Sequence, residues 1–186
     1  MLQPREPVPA MNAGRSVFEP FRADHVRVLA QLDALEESVG SGGPLAPAAE
    51  HELRKTLDLL QRQFATHVTV EERVLYPALV EAFPGAGPSL EPLQVEHTEM
   101  RAMVQRLVVQ LAESPSRARD EQLVVQARDL LDLLRLHIRK EELAVFNVAD
   151  RVLTAPELAK LAERVAGHRG TIDPDTGPTA GKGTHS

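Results

Sequence analysis

The sequence predicts an all-α protein: an up-down-up-down antiparallel four-helix bundle with a short extra C-terminal helix. Apolar residues recur three and four positions apart, the period of an α-helix, through most of the chain. Stretches rich in Gly and Pro divide this pattern into blocks joined by short connections, so neighbouring helices should run antiparallel. Aromatic residues make up only 3% of the chain, which disfavours β-rich folds that depend on aromatic pairs.

The first two predicted helices occupy the amino-terminal half. The first spans about residues 20–39, where apolar residues from Val28 to Leu35 form a stripe, and a Gly-rich stretch ends it. The second is unusually long and spans about residues 46–83. Because the ring of Pro77 removes one hydrogen bond and crowds the carbonyl four residues earlier, we expect a kink there.

Three further helices are predicted in the carboxyl-terminal half. The third spans about residues 89–113 and the fourth about residues 117–153. The fifth is shorter and spans about residues 156–167, with Thr154 as its candidate N-cap and Gly167 at its end.

The ends of the chain have a different composition from the bundle. Residues 1–15 contain several prolines and are predicted to be a flexible segment, while residues 16–167 form the bundle with its added helix. Residues 168–186 are rich in Gly, Pro and Thr and are predicted to be a disordered tail. Since no signal peptide and no run of 18 apolar residues is visible, we expect a soluble cytoplasmic protein without a membrane partner.

Charge and cysteine content exclude several classes of function. The net charge is -6, so the chain has no electrostatic surface for nucleic acid or for anionic lipid. It contains no cysteine, which excludes disulfides, thiol nucleophiles, zinc sites built on cysteine and cysteine-ligated iron-sulfur clusters. Any metal site must therefore be built from histidines and carboxylates.

A His-x-x-x-Glu pair occurs twice in the chain. His67 and Glu71 lie in the second predicted helix, and His137 and Glu141 lie in the fourth. A spacing of four places the imidazole and the carboxylate one turn apart on the same face of a helix. Each pair can therefore share a metal ion.

Two further histidines complete a tandem of helical hairpins. His25 precedes His67 by 42 residues, and His97 lies 40 residues before the second pair. Since antiparallel helices retrace the same height at about 1.5 Å per residue, all four histidines and both glutamates should lie near one level. Six donors suit two metal ions, with the glutamates bridging and two histidines on each ion. Imidazole and carboxylate together fit iron, manganese or zinc.

The predicted donor set leaves room for a small ligand. Each ion would have four protein donors, and a bridging oxo or hydroxo group would make five. The sixth position stays free, as a site for dioxygen, peroxide or nitric oxide requires.

The pattern resembles that of the hemerythrin-like family of non-haem di-iron proteins, whose His-His-Glu motif it matches over about residues 16–153. The resemblance implies a four-helix bundle that holds two iron ions. It also implies iron binding, oxygen or redox sensing, nitric oxide handling or peroxide breakdown. Ferritin-like di-iron proteins have a similar architecture, but they use Glu-x-x-His pairs and more carboxylates than histidines.

The chain departs from the oxygen-carrying members of that family at Arg101. The resemblance implies a second histidine in the third helix, four residues after the first, and Arg101 occupies that position. A more symmetric site follows, and stable oxygen storage is not expected. Arg101 has two interpretations: it pairs with a carboxylate outside the metal ligands, or it stabilises a bound superoxide or peroxide.

Several residues next to the predicted ligands have roles that the sequence leaves open. Glu72 and Glu142 are interpreted as solvated or ion-pairing residues, with metal ligation as the alternative. Asp24 and Glu96 are candidates to accept a hydrogen bond from a ligand imidazole on the adjacent helix, although we expect water exposure for Asp24. The aromatic residues after the two pairs, Tyr76 and Phe146, are interpreted as packing residues.

Three functional hypotheses follow. The leading one is a di-iron protein that binds, senses or reacts with dioxygen, peroxide or nitric oxide. The second is an enzyme that decomposes peroxide at the same site, and the third is an iron-responsive binding or regulatory module. The sequence leaves open the metal, with manganese and zinc as alternatives, as well as enzymatic activity, the redox partner and a monomeric or homodimeric state.

Overall fold

A computed structural model of the chain describes residues 16–39 and 45–172. Within these residues the regular structure is entirely helical. The predicted flexible segment over residues 1–15 and the predicted tail beyond residue 172 lie outside the described residues. The described part forms five helices: α1 (Glu19–Val39), α2 (residues 47–82), α3 (Gly87–Leu111), α4 (residues 117–152) and α5 (Ala155–Ile172).

Helices α2 and α4 are continuous but change their winding along their length. In α2, α-helical segments over Pro47–Leu59, Ala65–Val70 and Tyr76–Ala82 are joined by π-helical turns at Leu60–Phe64 and Glu71–Leu75. In α4, one π-helical turn at Glu141–Phe146 separates Arg117–Lys140 from Asn147–Val152. A π-helical turn inserts one extra residue into an α-helix and is frequent at functional sites.

Two of the three π-helical turns in the described residues coincide with the repeated sequence pattern. Glu71 begins one of them and Glu141 begins another, so the glutamate of each His-x-x-x-Glu pair lies at a change of winding. Pro77 follows the first of these turns, and the backbone N–H of Tyr76 donates to the carbonyl of Glu71. The irregular turn thus lies directly before the proline at which the sequence predicts a kink.

The predicted boundaries of α1 to α4 are confirmed to within two residues at each end. The predicted end of α5 is wrong, because the helix continues through Gly167 to Ile172. The side chains of Leu161 and Val165 are buried against the bundle. Arg169 forms an ion pair with Asp24 on α1, which ties down the last turns. Packing therefore overrides the stop signal that a glycine provides.

Polar contacts fix the starts of α4 and α5. Ser116 is the N-cap of α4, and its hydroxyl accepts from the backbone N–H of Arg119. The buried guanidinium of Arg119 donates to the carbonyls of Gln110 and Leu111 at the end of α3. At the start of α5, Glu157 accepts from the backbone N–H and the hydroxyl of Thr154, which supports the predicted cap.

The helices pack in a ring around a shared interior. Helix α1 lies against α2 and α4, and α3 lies against α2 and α4. Helix α5 lies against the middle of α2. None of the helices in the described part of the chain has a stretch that is long and apolar enough to cross a membrane.

A layer of polar side chains divides the interior into two apolar clusters. In α1, His25 lies between Phe21 of one cluster and Val28 of the other. In α3, His97 lies in the same way between Leu93 and Met100. The polar layer therefore has apolar packing on both sides and little access to water.

Candidate metal centre

The six predicted ligands lie together in the polar layer. His25 is 2% exposed, and the other five are fully buried. They form two overlapping groups whose donor atoms lie within 4.8 Å of one another, one containing His25 and His67 and the other His97 and His137. Glu71 and Glu141 belong to both groups. The structure thus brings together all six residues that the sequence singled out.

Each pair of imidazoles turns its Nε2 atoms toward the middle of the layer. The Nε2 atoms of His25 and His67 are 3.1 Å apart, and those of His97 and His137 are 2.9 Å apart. Nε2 of His67 lies 2.9 Å from Oε1 of Glu71. The other three Nε2 atoms also lie near glutamate oxygens, at 3.2 Å for His25, 3.4 Å for His137 and 3.5 Å for His97.

The opposite ring nitrogens of His25 and His97 donate to glutamates on neighbouring helices. Nδ1 of His25 lies 3.0 Å from Oε1 of Glu142, and Nδ1 of His97 lies 3.0 Å from Oε1 of Glu72. A proton on Nδ1 leaves the lone pair of Nε2 directed at the centre of the layer. Glu72 and Glu142 therefore orient imidazoles, a role beyond the simple ion pairing predicted for them.

His67 and His137 are held in the same manner by acidic residues on α1 and α3. Nδ1 of His67 lies 3.2 Å from Oδ2 of Asp24, and Nδ1 of His137 lies 3.0 Å from Oε2 of Glu96. The predicted role of Glu96 and the first of the two interpretations of Asp24 are confirmed. The expectation that Asp24 is exposed to water is wrong, because contacts with His67 and Arg169 leave it only 8% exposed.

Each of these four carboxylates also pairs with a basic side chain. Arg101 contacts Glu72 at 2.8 Å, which supports the interpretation that it pairs with a carboxylate outside the predicted ligands. Each of the four histidines in the centre is thus linked through a carboxylate to a cation on its outward side. The other three pairs are Arg22 with Glu142, Lys140 with Glu96 and Arg169 with Asp24.

Three buried carboxylate oxygens in the centre accept no hydrogen bond. They are both oxygens of Glu71 and Oε2 of Glu141. A buried carboxylate oxygen without a partner carries a large desolvation cost. Since four Nε2 atoms point at the same place, a bound cation that displaces their protons fits the donor set: it would satisfy the oxygens and the nitrogens together.

Two aromatic residues interpreted as packing residues contact the centre directly. The hydroxyl of Tyr76 donates to Oε1 of Glu141 at 2.6 Å, and its ring stacks on His97. The ring of Phe146 stacks on His25. No sequence motif indicates the polar role of Tyr76, although it is the one tyrosine in the chain. Its contact with a glutamate 65 residues away depends on tertiary packing.

Burial and mutual contact shift the pKa values of these groups. Burial opposes protonation of His67, but the charge of Glu71 and the hydrogen bond with Asp24 outweigh it and raise its pKa to about 10. Burial and the charge of Glu141 raise the pKa of Glu71 to about 7. Burial and the charge of His137 lower the pKa of His97 to about 4. The centre therefore retains protons near neutral pH when no metal is bound.

The comparison with known protein families agrees with this geometry. The hemerythrin HHE cation-binding domain matches residues 16–149, which is most of the chain. The chain belongs to the hemerythrin HHE cation-binding family. No curated protein matches the chain. The family indicates cation binding, and the two His/Glu groups are where this hemerythrin-like chain could hold a metal. Helix α5 (Ala155–Ile172) begins beyond the matched residues.

One residue that supports the centre, Arg169, lies far from the His-x-x-x-Glu motif and is not predicted from the sequence. Arg169 lies in the segment predicted to be a disordered tail, yet it contacts Asp24 and lies over the ring of Phe21. No local pattern marks this residue, because its partners lie about 145 residues earlier in the chain. His51, by contrast, lies outside the repeated motif and is exposed.

Metal affinity should rise with pH. A metal must displace protons from its ligands, and the raised pKa values of His67 and Glu71 mean that both hold protons near pH 7 in the metal-free chain. We expect zinc binding at pH 7 to release about one proton or more per chain. Titration calorimetry in two buffers of different ionisation enthalpy measures this number. Identical apparent enthalpies in both buffers would contradict the prediction, and His67→Ala should release fewer protons.

Proposed function

We propose that the chain is a hemerythrin-like di-iron protein that binds two non-haem iron ions and interacts with dioxygen, peroxide or nitric oxide. The observation that carries the proposal is the convergence of four Nε2 atoms on two buried glutamates, three of whose four carboxylate oxygens accept no hydrogen bond. The proposed ligands are His25, His67, Glu71, His97, His137 and Glu141.

We further propose that the four long helices alternate in direction, up-down-up-down. The turns between α2 and α3 and between α3 and α4 are short, which favours antiparallel neighbours. Consecutive helices pack side by side, α1 on α2 and α3 on α4. The tandem repeat supports the same arrangement, because His25 meets His67 within the first hairpin and His97 meets His137 within the second.

The two glutamates are proposed to bridge the ions. Each of them belongs to both groups of donors, whereas each histidine belongs to only one. Their place at the first residue of a π-helical turn supports this role, since the extra residue in the turn redirects the side chain that it carries.

The surrounding residues suit redox chemistry with a small ligand. Bound iron supplies an open coordination position and the capacity to exchange electrons. The chain's own residues hold the imidazoles in one tautomer, exclude water through the two apolar clusters and present the Tyr76 hydroxyl, a proton donor, to Glu141. Because that hydroxyl is buried among glutamates, its pKa is raised and it keeps its proton.

An apolar cavity lies beside the centre, and one of the proposed ligands, His97, forms part of its wall. It has a volume of about 280 Å³ and lies between α2 and α3. His97 and Arg101 contribute to its polar edge, while Phe64, Met100 and Val104 contribute to its apolar wall. Such a lining favours small molecules of low polarity, so the cavity supports dioxygen or nitric oxide as the ligand.

Iron analysis tests the proposal directly. Aerobically purified protein should hold close to two iron ions per chain and show a near-ultraviolet charge-transfer band. Glu71→Ala and Glu141→Ala should each lose more iron than His25→Ala, because a bridging donor serves both ions and a terminal donor serves one. His51→Ala is the matched control, since His51 is an exposed histidine on the same helix as His67. It should keep the full iron content.

Two results would contradict the iron proposal. Wild-type protein with less than half an iron ion per chain and no such band would count against iron as the metal. Equal iron content in the two glutamate variants and His25→Ala would count against the bridging assignment. Measuring metal content against protein concentration by mass spectrometry separates these outcomes.

Blocking the cavity should slow the approach of a small ligand. Ala65 is exposed at the cavity wall, so Ala65→Phe should narrow the opening without disturbing the core. We expect the rate of nitric oxide binding to the iron-loaded protein to fall about tenfold, measured by stopped-flow absorbance, since each 1.4 kcal/mol of added barrier is tenfold in rate. Ala82→Phe, an exposed position near the end of the same helix, is the control. Equal rates in all three proteins would show that the ligand takes another route.

Peroxide breakdown is the second candidate function. Arg101 favours it, because this cationic residue lines the cavity together with His97 and can attract an anionic form of the substrate. The reaction converts two molecules of hydrogen peroxide into one of dioxygen and two of water. Arg101→Ala should then slow oxygen evolution per bound iron ion, measured with an oxygen electrode and iron analysis on the same sample. Oxygen evolution that persists in Glu141→Ala would rule out this site as its source.

A further inference from the structure

The two hairpins of the tandem repeat differ in the source of one cation. In the second hairpin, Lys140 lies three residues after His137 and pairs with Glu96, which holds that same histidine. The related position in the first hairpin, three residues after His67, is Val70. Val70 is fully buried and apolar. Helix α2 therefore lacks the cation that Lys140 provides in α4.

Arg169 of α5 takes the place of that missing cation. Its Nη2 lies 2.7 Å from Oδ2 of Asp24, the oxygen that also accepts from Nδ1 of His67. The guanidinium lies 4.9 Å from the centre of the Phe21 ring, and three quarters of the side chain is buried. Arg27 also contacts Asp24, through the other oxygen, but its side chain is more than half exposed.

Val70, which stands where the second hairpin has Lys140, also contributes to the apolar surface on which α5 packs. Val70 lies in the same apolar cluster as Leu161 and Val165, the two buried side chains of α5. A valine at position 70 thus leaves α2 without a cation there and gives α5 an apolar contact. The docked helix carries Arg169 to Asp24. Helix α5 lies outside the part of the chain that the family match covers, so the Arg169–Asp24 contact joins the matched domain to a helix beyond it.

We propose that Arg169 is a positioning residue that holds Asp24 on His67, so that the extra carboxyl-terminal helix controls how firmly the His25/His67 side retains its ion. This inference rests on the proposed function for the presence of two ions. The His97/His137 side takes its cations from within the bundle, Arg101 and Lys140, and does not depend on α5. The two halves of the centre should therefore respond differently when α5 is altered.

The test compares three variants of the full chain. Arg169→Ala removes the contact, and Arg169→Lys keeps a cation at the same place. Arg164→Ala is the matched control, because Arg164 lies on the same helix and, within the described residues, forms its ion pair with the exposed Glu81, at 3.9 Å, away from the centre. The first readout is the release of zinc from the loaded protein to a chelator. The second is the nuclear magnetic resonance signal of the Nδ1 proton of His67 in metal-free protein.

We expect two phases of zinc release in Arg169→Ala. One ion should leave about tenfold faster than in wild type, the size of effect typical when the hydrogen-bond partner of a ligand is disturbed. The other ion should leave at the wild-type rate. Arg169→Lys should restore most of the retention, and Arg164→Ala should match wild type. In metal-free Arg169→Ala, the Nδ1 proton of His67 should exchange faster with water, while that of His137 stays unchanged.

The inference is overturned if Arg169→Ala releases both ions at wild-type rates and keeps a protected Nδ1 proton on His67. It is also overturned if both ions are lost equally, since that result indicates general loosening of the fold. A wild-type chain that holds no metal would contradict the proposed function, and the Nδ1 proton of metal-free His67 would still decide the role of Arg169. Leu161→Asp, which undocks α5, should reproduce the Arg169→Ala result.

Discussion

The structure depends on one electrostatic constraint: two carboxylates and four imidazoles occupy the middle of an apolar interior. Burying an ionised carboxylate without compensation costs several kcal/mol even after the protein relaxes. The outward side of each imidazole is compensated by a carboxylate and a cation, as in the contact from His97 to Glu72 and Arg101. On the inward side the imidazoles face Glu71 and Glu141, and three oxygens of these two glutamates accept no hydrogen bond. A cation between them completes the compensation.

The rest of the fold can be understood as support for that arrangement. The apolar clusters above and below the polar layer exclude water, which strengthens each electrostatic contact inside it. The π-helical turns at Glu71 and Glu141 direct both glutamates inward from opposite sides of the bundle. Arg119 and the N-cap Ser116 tie the end of α3 to the start of α4 far from the centre, so the helices keep their register.

The sequence predicts the convergence of the six His and Glu residues and the long helices well because both depend on local periodicity. A spacing of four fixes the relation of His67 to Glu71 on any α-helix, and helix lengths fix the common level. What the sequence could not predict depends on contacts between distant segments. The hydroxyl of Tyr76 reaches Glu141, and α5 continues past Gly167 because its last turns pack on the bundle. The π-helical turns carry no compositional signal: two of them begin at Glu71 and Glu141, and the third, Leu60–Phe64, contains no glutamate.

The most direct measurement of the central claim is anomalous diffraction at the iron edge from crystals of the iron-loaded chain. Two anomalous peaks should lie within the polar layer, roughly 3.5 to 4 Å apart as in other two-metal sites, one beside His25 and His67 and the other beside His97 and His137. A single peak, or iron bound only at surface carboxylates, would contradict the account. The buried glutamates would then need another source of compensation.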